Sequence, residues 1–142
     1  MAKCGVIINY HAVDRRMDQP HSIPKERFIN HMKLLSREYD TVSLPELIRC
    51  SDGAEKKVAV TFDDGYEDFY SIARPIMEKY NIPSTVFVNP GFMGDRSLEM
   101  ARVRHEKIKQ VPSCERVFMT WSEVREISKS NMITVGNHTY TH

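Results

Sequence analysis

Two carboxylates stand side by side in "TFDDGYEDFY", residues 61–70, where the apolar run "KKVAVTF" breaks off at a glycine. Like charges repel, and each loses solvation in a cleft, so Asp63 beside Asp64 is either a plain surface turn or the edge of a site. A second pair lies in "GNHTYTH", where His138 and His142 are four residues apart. In a helical turn they would project side by side and could grip one cation. A third, hard ligand such as a carboxylate would leave a position open for water, which is how catalytic rather than structural zinc is held. His11, in "INYHAV", is a further titratable group that directly follows an apolar run.

These groups need a scaffold that brings them together, and the pattern of elements supplies one. Val6 to Asn9 reads as a strand, and in "PKERFINHMKLLSREY" Phe28, Met32 and Leu35 keep helical spacing, with Pro24 suited to the first turn. Thr41 to Ser43 is a short strand candidate, "PELIRC" a short helix, and Lys57 to Phe62 the clearest strand. The next helix, about Ser71 to Tyr80, contains Pro75, which either kinks it or marks its true first turn. "NIPSTVFV" is another strand, and "LEMARVRHEKIKQ" reads as a solvated, basic-faced helix. "TWSE" is a capping box, Thr120 with Glu123, opening a helix to about Ser128, and Met132 to Val135 forms a last strand. Strands separated by helical crossovers mean a parallel sheet, so the class is α/β. In such sheets functional groups gather beyond the carboxyl ends of strands. Asp63 and Asp64, His138 and His142, and His11 all follow strand candidates and so share one rim.

Composition narrows the function classes. The 142 residues make one domain, spanning 1–142, with room for a moderate core. Lys plus Arg number 20 against 19 Asp plus Glu, so no field favours nucleic acid or anionic lipid. No apolar run approaches the roughly 20 residues that cross a bilayer, and the start has no secretory pattern. Cys4, Cys50 and Cys114 are odd in number and widely spaced, which fits reduced thiols. A cytoplasmic location is expected, with an exported chain trimmed of its leader as the alternative that would show the same pattern.

"VAVTFDDGY" and "GNHTYTH" resemble the first two motifs of the polysaccharide deacetylases, carbohydrate esterase family 4 with its NodB-homology domain. "NIPSTVFV" and "MTWSEVREISKSNMITVGNHTYTH" are similar to the stretches between those motifs. "INYHAV" and "HMKLLSREYDTVSLPEL" are similar to permuted members such as the poly-N-acetylglucosamine deacetylases. The resemblance implies a distorted (β/α)7 barrel and a metal-dependent hydrolase that removes N-acetyl groups from an amino sugar of a polysaccharide or glycoconjugate. It implies Asp63 as general base, His11 as general acid, and Asp64, His138 and His142 as ligands of Zn2+, or of Co2+ or Ni2+. A cation beside Asp64 would offset the repulsion from Asp63 and keep the latter ionised. The family's downstream arginine, which orients the base, has no counterpart before His142. About five of seven strands are therefore expected, with a homo-oligomer or a downstream segment completing the barrel.

Two further classes stay open on the residues alone: a carbohydrate-binding module that keeps the rim without turnover, and a hydrolase of non-sugar amides or imides. His21, His31 and His105 read as solvated or structural, and Trp121 as packing, with a place lining the sugar site as its alternative. Tyr66 reads as structural, with a place at the groove as its alternative.

Overall fold

The computed structural model describes residues 5–14, 21–50, 56–94 and 116–141. The basic-faced helix expected after residue 97, as well as Cys4, His105, Cys114 and His142, lies outside them. The chain begins with β1 (Val6–Tyr10), β2 (Ala12–Val13) and β3 (Ser22–Ile23), followed by α1 (Lys25–Glu38). Next come β4 (Asp40–Thr41), α2 (Leu44–Arg49) and β5 (Lys57–Phe62). The remainder comprises α3 (Arg74–Lys79), β6 (Ser84–Val88), α4 (Trp121–Ile127) and β7 (Ile133–Asn137).

Five strands build the main sheet in the order β1-β5-β6-β7, and β4 also pairs with β5. All its pairings are parallel. Val58 faces both Val6 and Thr41, so β1 takes one edge of β5, and β4 and then β6 share the other. β5 is consequently buried along nearly its whole length, which is why "KVAVTF" reads as a continuous apolar run instead of an alternating one. The five strands expected from the sequence are these five. The separate two-residue ladder of β2 and β3 is too short to leave a periodic signal.

The core lies between this sheet and its helices. α1 buries Phe28, Met32 and Leu35, the three residues its spacing picked out. The Phe62 ring meets those of Phe69 at 4.9 Å, Tyr10 at 5.4 Å and Phe28 at 5.9 Å, an aromatic cluster directly beneath the end of β5. Burial pushes the Tyr10 hydroxyl up to about 12, so it stays protonated, sharing a 2.9 Å hydrogen bond with His31 Nδ1. His31 is thus a structural histidine.

The helix expected from Ser71 starts differently. Phe69–Ala73 is a π-helical turn, and α3 begins at Arg74 with Pro75 in its first turn. Pro75 has no N–H to give to the carbonyl four residues back, and the loosened turn before it accommodates that loss.

α4 carries the expected capping box. Thr120 Oγ1 accepts from Glu123 N at 3.2 Å, and the Glu123 carboxylate accepts from Thr120 N at 2.8 Å. Arg116 grips the same carboxylate with both terminal nitrogens, at 2.7 and 2.8 Å. Thr120→Ala removes one half of the box and should cost about 1 kcal/mol, read as a lower midpoint in urea with unchanged slope.

Candidate active site at the carboxyl rim of the sheet

The carboxyl ends of β1, β5, β6 and β7 open onto one rim, and each delivers a polar side chain there. Beyond β5 the backbone turns sharply. Asp63 N donates to Tyr10 O at 3.0 Å, and Asp64 and Gly65 then take positive φ angles of 71° and 70°. Aspartate tolerates this conformation better than most side chains, and glycine adopts it freely. Behind the turn, Met119 N donates to Gly65 O and Glu67 N to Val117 O, both at 3.0 Å. The Tyr66 and Phe118 rings stack there at 5.0 Å, which makes Tyr66 a buried prop of the turn and not a groove residue.

The turn assigns the two carboxylates to different neighbours. Asp63 faces β1: Asn9 Nδ2 donates to its Oδ2 at 2.7 Å, and His11 Nε2 lies 3.8 Å from the same oxygen. Asp64 faces β6 and β7: Asn89 Nδ2 donates to its Oδ1 at 2.9 Å, and His138 Nε2 lies 3.8 Å from it. Asp64 is only 6% exposed. Thus four of the five residues singled out in the sequence meet at the rim, as two pairs that share one peptide link. The fifth, His142, lies outside the described residues.

A 3.8 Å separation is too long for a hydrogen bond but suits two ligands of one ion. Donors each about 2.1 Å from a tetrahedral zinc are about 3.4 Å apart, so a small side-chain rotation accommodates it. One imidazole nitrogen and one carboxylate oxygen also match the donor chemistry of such an ion. Among the described residues no third histidine, cysteine or acidic side chain joins Asp64 and His138.

One expectation fails in its geometry. Residues 138–141 form no helical turn: Thr139 has φ 62°, and Tyr140 O accepts from Gly91 N at 2.9 Å. The strand-like continuation of β7, in which His138 N donates to Val88 O at 2.9 Å, pulls the segment along β6 instead. Trp121 also departs from its reading as a packing residue, since it is 41% exposed at the start of α4. His21 is solvent-exposed, and its ring stacks on His11 at 5.0 Å.

Two asparagines at this site were not singled out in the sequence. Asn89 is fully buried directly after β6, a further strand end on the same rim. Asn9 sits within β1, two residues before His11, so period-two alternation places both on one face of the strand.

The pattern that defines the polysaccharide deacetylases matches residues 51–142. This chain belongs to the polysaccharide deacetylase family. It is 26% identical over 142 residues to the poly-beta-1,6-N-acetyl-D-glucosamine N-deacetylase of Escherichia coli, covering 95% of this chain and 20% of that protein. Among deacetylases of known structure, it superimposes on IcaB from Ammonifex degensii with a TM-score of 0.71 at 26% identity, covering 99% of this chain and 54% of that one. It superimposes on the de-N-acetylase from Aggregatibacter actinomycetemcomitans with a TM-score of 0.69 at 25% identity, covering 96% and 54%. The sheet described above is accordingly part of the family's (β/α)7 barrel, and the chain spans about half the length of those two structures. No helix among the described residues is long and apolar enough to cross a membrane.

Proposed function

We propose that this deacetylase-family chain carries the hydrolytic centre of a metal-dependent carbohydrate N-deacetylase acting on N-acetylated amino sugars. The observation that carries the reading is the division of the carboxylate pair, Asp63 toward His11 and Asp64 toward His138. That division separates proton transfer from ion binding within a single turn. The N-deacetylation named for the Escherichia coli relative supports the choice of substrate class.

Asp64, His138 and His142 would hold the divalent cation, with zinc favoured over cobalt and nickel by availability and over magnesium by the nitrogen donors. When bound, such an ion supplies Lewis acidity, polarising the acetyl carbonyl and lowering the pKa of water at the site from about 15.7 toward 7. Asp63 accepts the proton of the water that attacks the acetyl carbon. His11, protonated, gives its proton to the nitrogen as the carbon–nitrogen bond breaks, so acetate and a free amino sugar leave.

The test couples elemental analysis with acetate release from an N-acetylglucosamine oligomer and from a panel of non-sugar amides. One transition-metal ion per chain and turnover confined to the sugar are expected. Folded protein without metal would return the chain to the class of binding modules, and turnover of simple amides alone would refute the substrate class.

A further inference from the structure

Asp63 is held by more than the turn that presents it, and the holder lies on another strand. Thr61 Oγ1 donates to Asn9 Oδ1 at 2.9 Å, and Asn9 Nδ2 donates to Asp63 Oδ2 at 2.7 Å. Chemistry fixes the direction of this chain. An ionised carboxylate only accepts, so the amide must turn its nitrogen to Asp63 and its oxygen to Thr61, whose hydroxyl must then donate. Thr61 is buried in β5, where Asn9 and Thr61 are direct partners in the parallel ladder. The amide plane is thereby fixed at both ends, by a buried hydroxyl and by the carboxylate itself.

We infer that Asn9 is the positioning residue for Asp63, with Thr61 fixing Asn9 in turn; the inference rests on the reading of Asp63 as the proton acceptor. Asn9 engages Oδ2, the oxygen that also faces His11 Nε2 at 3.8 Å. The other oxygen, Oδ1, is then the one that takes the proton from water. A hydrogen bond to an ionised group is short and strong for its kind, and the 2.7 Å contact falls in that class. Its work is directional. Without it, Asp63 can rotate about its side-chain bonds, and misplacement of a catalytic group by about 1 Å costs on the order of 100-fold in rate.

Asn9→Ala should lower kcat by about 10- to 100-fold, in line with the loss of an outer partner at a hydrolytic site, with KM within about twofold. Thr61→Val keeps the side-chain shape, removes the hydroxyl and should give a smaller fall of the same kind. Asn9→Asp, which turns the donor into a second acceptor, should be worse than Asn9→Ala. Calorimetry should show unchanged zinc affinity in all three variants. A crystal structure of Asn9→Ala should show the Asp63 carboxylate displaced from its wild-type rotamer, a readout that needs no turnover. An unmoved Asp63 in that structure, or a kcat equal to that of an active wild type, would overturn the inference. Wild-type protein that releases no acetate, with Asp63 still displaced in Asn9→Ala, would refute the proposed function and leave the positioning role standing.

Discussion

Asp63→Asn is expected to abolish most acetate release, by about 100- to 10,000-fold, while the protein keeps its cation. The substitution preserves size but replaces a proton acceptor with an amide. It also sets the new side chain against Asn9 Nδ2, at the position where Oδ2 now accepts at 2.7 Å. Asp64→Asn should behave in the opposite order. Its carboxylate lies against His138 and accepts from Asn89, so the amide weakens ion binding itself, by more than the roughly 10- to 100-fold that loss of an outer partner costs. Titration of zinc into both variants by calorimetry separates the two roles. Equal loss of the ion in both would show that the carboxylates act as one unit and that their assignment is wrong. His11→Ala belongs with Asp63→Asn, lowering kcat at unchanged zinc affinity.

Gly65→Ala is expected to destabilise the fold by about 2–5 kcal/mol. Two costs combine. The backbone has φ 70°, where a side chain costs about 1–2 kcal/mol. The new carbon would also lie 2.9 Å from Val88 Cγ1 and 3.1 Å from Met93 Cε, an overpacking that costs about 1–3 kcal/mol. Thermal unfolding should move down by roughly 8–20 °C for a chain of this size. Pairing the change with Val88→Ala removes the shortest contact but neither the Met93 contact nor the backbone cost, so the double variant should be less destabilised than the two single losses summed. Strict additivity would show that the Val88 Cγ1 contact contributes nothing and that the backbone conformation and the Met93 contact carry the effect.

The parallel sheet was legible because a strand buried on both faces reads as an unbroken apolar run, as β5 does. α1 was legible because Phe28, Met32 and Leu35 repeat at helical spacing, and α4 because its capping box is a local pattern. What stayed hidden depends on partners far away in the chain. The bonds of Asn9 to Asp63 and of Asn89 to Asp64 cross 54 and 25 residues. No local spacing reports them. His138 misled for a related reason: four-residue spacing suggests a helix only where no strand competes, and β6 competes for that backbone. Trp121 misled because a helix start need not turn its first side chain inward.

β5 forms its ladders with β1, β4 and β6, and it is the third of the main sheet's five strands to be made. On the ribosome this order leaves β1 waiting. About fifty residues separate Val6 from its partner Val58. At roughly 5–20 residues per second the nascent chain carries an unpaired, β-branched edge for about 3–10 s before its natural partner emerges. Such an edge can recruit other chains, and among the described residues Val6 and Ile7 are large apolar side chains that stay about half exposed. Asn9 and His11 are the first of the rim residues to be synthesised and His138 arrives only after β7, so the rim is assembled only once all five strands of the main sheet have been made.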